Sequence, residues 1–419
     1  MQTILGIFEF ITDLGVAAMM PIIITILGLI FRQKFSKALK AGLTVGIGFV
    51  GLGAVTDVML RAIQPVIDNL VEIYDFNLTV IDAGWAIGAS MAWGTPVVPV
   101  VFLVILAVNT LMIFFKWTKT LNIDIWNYWH AMLPAGIIYL QTRNMIFPIV
   151  IAIIVTVIQL LIADWTQKDV EEVLGLEGLS MPHTQANGWA IVGYPVNWLI
   201  DRIPGIRKIN WSPETIQNRL GFISEPMFLG LIIGFFLSAL ARMDLSSILQ
   251  TAISVSASLV LIPRMVSLLM DGLSVITEGA QSFMQDRFSD RELYIGVDAA
   301  LGIGHPYVIA IGLLMIPMAL LLAFILPGNT VMPLADLAVI VYFVIFSIVP
   351  SKGNLFRGFI TATIIMICTI YLSGAIAPMY TQMAQQIGID VGSGLITSMN
   401  VATGWYNWIV YWIVLFFAT

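Results

Sequence analysis

The chain has 419 residues, 59% of them hydrophobic and only 11% charged, with a net charge of −6. Soluble domains are about half apolar and about a quarter charged, so this composition excludes a soluble fold and makes lipid the solvent. The charges are scattered over loops with no basic tract or arm, which excludes a nucleic-acid partner.

In chain order, the N-terminus has no charged n-region or small-residue cleavage site, and Asp13 interrupts its apolar run. The first helix is therefore expected to insert uncleaved. Runs of spanning length follow at 14–31, 41–60, 97–115, 121–141 and 145–163, and again at 221–241, 245–270, 307–327, 334–350 and 355–374. Backbone in hydrocarbon must satisfy its own hydrogen bonds, so the expectation is an all-α polytopic membrane protein of about ten to eleven transmembrane helices. Four shorter stretches rich in Gly, Pro, Asn and His, at 82–96, 180–200, 294–306 and 396–408, are too broken for ordinary spans. They are predicted to be re-entrant hairpins.

The halves 1–210 and 211–419 resemble each other at an offset of about 210 residues. Asp82 to Pro96 parallels Asp298 to Pro306, and Pro182 to Trp189 parallels Met399 to Trp405. Five spans per half is an odd number, so the halves should have opposite topology. Basic residues in loops 32–40, 116–119, 201–208 and 352–357 mark those loops as cytoplasmic, with 242–244 and 327–333 outside. The result is an inverted repeat, the architecture of many alternating-access carriers.

Polar residues kept inside a membrane are candidates for function. In the run Asn122 to His130, Asn127 and His130 share a helix face, and the mixture of aromatic and polar groups suits a polyol. Asp124 and Trp126 in the same run also fit a polar cap and an interfacial aromatic belt. The hairpin Met181 to Gly188 packs His183, Thr184, Gln185 and Asn187 beside helix breakers, more hydrogen-bonding groups than a turn requires. Asp298 and His305 lie in the second-half hairpin, where Asp298 is the candidate general base or hydroxyl acceptor and otherwise a helix cap. Asp82 carries the same ambiguity, whereas Glu225 before Pro226 reads as a helix start. The Gly46-x-Gly48-x-x-Gly51 run lies inside a span with no preceding strand, so it points to close helix packing rather than nucleotide binding. The three histidines and single cysteine, Cys368, have no metal-ligand spacing, and no cofactor site is indicated.

Taken together, Lys40-Ala41-Gly42-Leu43-Thr44-Val45-Gly46-Ile47-Gly48-Phe49-Val50-Gly51, Asn122-Ile123-Asp124-Ile125-Trp126-Asn127, Leu176-Glu177-Gly178, Ser224-Glu225-Pro226, Met270-Asp271-Gly272-Leu273 and Lys352-Gly353-Asn354-Leu355-Phe356-Arg357 resemble a known family. They are similar to the galactitol-type membrane component (enzyme IIC) of the bacterial phosphoenolpyruvate-dependent sugar phosphotransferase system, related to the ascorbate-type permeases. The resemblance covers nearly the whole chain. It implies a multi-pass protein of the bacterial cell (inner) membrane, with a substrate-carrying core domain and a V-shaped dimerisation domain. It further implies a homodimer with elevator-like movement, which presents galactitol or a related alditol to a separate IIB protein served by IIA. IIB carries the phosphocysteine, and Cys368 is not expected to take that role. Substrate contacts carried over by motif are His130, His183, Gln185 and Asp298. Departures at Pro182-His183-Thr184-Gln185 and at Gly84 to Ser90 leave the exact sugar open. The alternative is a proton- or sodium-coupled secondary transporter using Asp82 or Asp298.

Overall fold

A computed structural model describes residues 16–74, 78–122, 124–209, 225–288, 293–303, 305–387, 391 and 394–418. The segment before Val16, including Asp13, lies outside them. The first half runs α1 (Val16–Ile30), α2 (Phe35–Tyr74), β1 (Val80–Asp82), α3 (Trp85–Trp93), α4 (Val98–Phe114), β2 (Thr120–Asn122), α5 (Trp129–Thr142), α6 (Ile146–Leu174), β3 (Leu179–Ser180), α7 (Thr184–Asn187) and α8 (Ala190–Ile200). The second half gives α9 (Pro226–Leu240), α10 (Leu245–Phe288), β4 (Tyr294–Gly296), α11 (Pro306–Ile325), β5 (Val331–Met332), α12 (Ile340–Ile348), α13 (Leu355–Gln386), β6 (Leu395–Thr397), α14 (Met399–Ala402) and α15 (Trp405–Ala418).

By length and apolarity, α6 and α13 each suffice to cross a bilayer, and α3 and α4 meet at 95° across a short break. The sharp turn at the end of β1 uses Gly84, whose φ of +92° disfavours a side chain and whose Cβ would meet that of Ala335 at 2.7 Å. Helices α2 and α10, of 40 and 44 residues, outrun the apolar stretches 41–60 and 245–270. At about 1.5 Å per residue each is roughly twice the hydrocarbon thickness.

Two features depart from the sequence expectation. The stretches 121–141 and 334–350 are not continuous helices. The first is β2, a 3-10 turn at Ile125–Asn127 and the 14-residue α5; the second has a 3-10 turn at Ala335–Val339 before the nine-residue α12. Asp124 in one and Asp336 in the other accept from backbone N–H groups outside a helical pattern, while Asn127 donates to the Asn122 side chain. The all-α expectation also omits two small parallel sheets, ordered β5-β1-β6 and β2-β4-β3. In each, the central strand comes from one half of the chain and both edges from the other. Register pairs Ile81 with Met332 and Ile396, and Ile295 with Leu121 and Leu179.

Strands at this depth persist only if protein covers their polar groups. Asn109 donates to Thr120 O at 2.8 Å and accepts from Asn122 N at 2.9 Å, closing the free edge of β2. Asn329 does the same for β5, bonding both the N–H and the carbonyl of Val331.

Packing divides the helices. Helices α1, α2, α9 and α10 pack mainly on one another, and the remaining elements pack around the sheets. Glycines permit the close approaches in the first group: a Cβ on Gly42 would lie 2.4 Å from Pro21 O, and one on Gly272 would lie 2.6 Å from Ala41 O. Gly51 of the Gly-x-Gly-x-x-Gly run abuts Met265, so at this glycine the run serves helix packing.

Two of the loops assigned to one side by charge meet in space. Arg357 pairs with Asp201 at 2.7 Å, and Asn354 donates to Ile209 O at 3.1 Å. Lys352 bonds Glu172 at 2.9 Å near the end of α6, and that hydrogen bond, with the nearby Asp169, holds its ammonium pKa above the usual lysine value.

Candidate functional site

The sheets bring the broken segments together at a partly open cavity with about 350 Å³ of empty space, open solvent included. Trp85, Trp126, Trp129 and Tyr342 supply its aromatic wall, and His183, Gln185, Asp298 and Asn400 its polar groups, with Val339 completing the lining. The indole of Trp85 lies 6.1 Å from that of Trp126, edge to face, and 6.3 Å from that of Trp129. Indole faces and edges of this kind cover the C–H surface of a small polar molecule and leave its polar atoms to other groups. Both halves of the chain contribute. Trp85, Trp126, Trp129, His183 and Gln185 come from the first, and Asp298, Val339, Tyr342 and Asn400 from the second.

His183 enters from the residue before α7. Its Nδ1 lies 3.3 Å from Asn127 Oδ1 and 3.4 Å from a carboxylate oxygen of Asp298. The amide orientation of Asn127 is fixed because its Nδ2 donates to Asn122 Oδ1 at 3.0 Å. With Asn127 in this orientation and Asp298 ionised, the Nδ1–H tautomer of His183 would meet an acceptor on both sides. Asp298 is positioned through its backbone, whose N–H donates to Asp124 at 3.1 Å. Gln185 and Asn400 are each buried on a one-turn helix, α7 and α14, and among the described residues neither side-chain amide has a protein partner. Two free amides from opposite halves thus border one cavity, each able to donate and accept.

Of the residues singled out in the sequence, His183, Gln185 and Asp298 line the cavity. His130 and Asn127 sit behind it. The His130 ring packs edge to face on His183 at 4.3 Å between centroids, and its carbonyl accepts from Asn407 at 3.1 Å. Asp82 lies elsewhere, fully buried, with its carboxylate accepting from the N–H groups of Leu334, Asp336 and Met399. It ends β1, whereas Asp298 lies two residues beyond β4, so the two aspartates do not occupy matching positions. His305 precedes α11, half-buried, with its ring stacked on Tyr307 at 5.3 Å, and does not line the cavity. Cys368 is half-buried against the core within α13. Among the described residues, no group of three or more His, Cys, Asp or Glu could hold a metal.

Sequence reasoning did not single out Trp85, Tyr342 or Asn400, while Trp126 and Trp129 lie in the Asn122 to His130 run whose aromatic and polar mix it matched to a polyol, an interfacial belt being the other reading of Trp126. Asn400 had a legible signal. It lies in the broken stretch that parallels the one containing Gln185.

Comparison with known proteins follows the same pattern along the chain. Residues 9–394 match the EIIC-GAT family model, described as the PTS system sugar-specific permease component. An Escherichia coli (strain K12) protein described as a permease IIC component is 37% identical over 406 residues, 95% of this chain and 92% of its own length. The PTS system galactitol-specific EIIC components of E. coli K12 and O157:H7 are each 34% identical over 404 residues, covering 96% of this chain and 90% of theirs. The family match takes in every cavity-lining residue except Asn400, and the chain belongs to the EIIC-GAT family of PTS sugar-specific permease components, integral membrane proteins of sugar transport.

Proposed function

We propose that this chain carries an alditol, galactitol or a close relative, across the bacterial inner membrane and presents it to phosphorylated IIB. The cavity is the observation that carries this reading: an indole wall for C–H faces, with His183, Gln185, Asn400 and Asp298 as hydroxyl partners. The galactitol-specific relatives support the substrate class.

For transfer, a substrate hydroxyl oxygen forms the new bond to phosphorus while the P–S bond of the IIB phosphocysteine breaks and its sulfur leaves as thiolate. The hydroxyl proton passes to the Asp298 carboxylate, which the His183 Nδ1–H orients from 3.4 Å. Added phosphate charge then lowers affinity for a cavity that, among the described residues, is lined by no lysine or arginine.

The packing division supports movement of one part against another. In this reading α1, α2, α9 and α10 form the dimerisation scaffold of a homodimer. The remaining elements move as the carrier, in an inverted repeat of about ten to eleven spans with re-entrant hairpins. The basic loops 116–119, 201–208 and 352–357 face the cytoplasm and receive IIB, which IIA rephosphorylates.

Equilibrium binding by the purified protein tests the substrate class. Galactitol or another alditol should bind saturably and change tryptophan fluorescence, since three tryptophans line the cavity. An unchanged signal across the alditols, with binding of a charged solute instead, would overturn it.

A further inference from the structure

Two carboxylates outside the cavity, buried Asp336 and half-buried Asp124, hold the backbones of residues inside it. Asp336 accepts from Trp85 N at 2.9 Å through Oδ1, and from Asn400 N at 2.8 Å and Ser398 Oγ at 2.6 Å through Oδ2. Asp124 accepts from Trp126 N through Oδ1 and from Asp298 N through Oδ2, both at 3.1 Å. Each aspartate follows an edge strand, β2 or β5, and each reaches across to the other half of the chain: Asp124 to Asp298, and Asp336 to Trp85. The four amides so held belong to four of the nine residues that line the cavity.

We propose that Asp124 and Asp336 are twin positioning residues, each fixing a cavity residue of the opposite half so that the two halves present one binding surface. This rests on the permease reading above and deepens it. Two oxygens on one rigid carboxyl group can hold two backbones in a fixed relation. A single helix cap would need only one oxygen. Asp82 reinforces the Asp336 arm, accepting from Asp336 N at 2.9 Å and from Met399 N at 3.2 Å.

The two arms have different consequences. Trp85 and Asn400 are binding groups, so slack in the Asp336 arm weakens affinity and alters the preference among alditols. Asp298 is the proposed base and Trp126 one part of the wall, so slack in the Asp124 arm slows phosphoryl transfer more than it weakens affinity.

Asp336→Asn and Asp124→Asn, made in the full-length protein, test this with galactitol, mannitol and sorbitol as probes and phosphorylated IIB as donor. Asp336→Asn should raise Kd by about tenfold or more and change the rank order of the three alditols. Asp124→Asn should lower the transfer rate by about tenfold or more, with Kd kept within about threefold. Variants that melt at lower temperature yet keep Kd, rank order and rate would overturn the proposal and leave both carboxylates as fold elements only. If an Asn variant does not fold, Asp336→Glu and Asp124→Glu keep the carboxyl group and displace the oxygens, with the same readouts.

Hydrogen exchange of the ligand-free protein separates this proposal from the permease reading. Asp336→Asn should speed exchange in 85–93 and 399–402, and Asp124→Asn in 298–301, while α6 is unaffected. If the wild type binds no alditol, the permease reading fails, and unchanged exchange in those segments would still overturn the clamps.

Discussion

The imidazole Nδ1 of His183 lies 3.4 Å from a carboxylate oxygen of Asp298, joining a first-half hairpin to a second-half one at the wall of the cavity. The pair gives the site an oriented carboxyl group with an imidazole nitrogen beside it. Asp298→Asn keeps the size of the side chain but cannot accept a proton from a hydroxyl. Phosphoryl transfer from IIB should fall by about 100-fold or more, with alditol affinity changed by less than about fivefold, as general-base loss requires. Rapid-quench transfer assays and equilibrium binding on the same preparation check the split.

The aromatic wall makes a separable prediction. Trp85 is buried, with its indole against those of Trp126 and Trp129. Trp85→Phe keeps an aromatic face and should hold alditol affinity within about fivefold. Trp85→Ala removes contact area and about 1 kcal/mol of ring interaction, so affinity should drop by about tenfold or more. Isothermal titration with the same alditol compares the two.

Helix packing in the four-helix group can be tested without substrate. At Gly42 an added Cβ would meet two backbone atoms of α1, Pro21 O at 2.4 Å and Pro21 Cα at 3.0 Å. Gly42→Ala should therefore cost about 1–3 kcal/mol and lower the melting temperature in detergent. Gly374 in α13 is the contrast, since its nearest atom is the rotatable Thr330 Oγ1 at 3.3 Å. Gly374→Ala should be neutral or stabilise by up to about 1 kcal/mol through helix propensity.

On the face that carries Lys352, the Arg357–Asp201 pair is short, 2.7 Å, but the Asp201 side chain is 60% exposed. Such pairs contribute under about 1 kcal/mol. Asp201→Asn should leave melting temperature and uptake near wild type. Arg357→Ala should cost more, because the guanidinium also donates to Arg207 O at 3.2 Å and so ties loop 201–208 to α13.

Legibility in the sequence followed the physics of each element. Helices α4 and α11 match their apolar runs closely, because a long uncharged stretch in lipid has few alternatives to a helix, whereas α6 and α13 start with theirs and run on past residues 163 and 374. The breaks in 121–141 and 334–350 were hidden because hydropathy averages over the Asn122, Asp124, Asn127 and Asp336 side chains that divert the backbone. Strands of two or three residues carry no period to detect. Length was misjudged at α2 and α10, which continue as helix past the point where charged residues enter.

At the site, His183 and Gln185 stood out through local polar crowding, and Asp298 through its place in a hairpin. Trp85 and Tyr342 did not, since an aromatic residue in a membrane protein is as much at home in the core or at the interface. Asp82 misled because a buried carboxylate fully occupied by backbone amides looks, in sequence, like one awaiting a ligand. Asp124 was read as a cap, and its Oδ1 does bond Trp126 N, but its second oxygen reaches Asp298 N across the chain. No local pattern contains that contact.

The central claim is that this chain delivers an alditol to a phosphoryl donor. Vesicles containing the chain, given labelled galactitol with and without phosphoenolpyruvate, the general phosphotransferase proteins and the IIA and IIB partners, test it most directly. The account predicts accumulation of the labelled phosphate only with the full set. Accumulation of free galactitol driven by a proton or sodium gradient, independent of IIB, would contradict it.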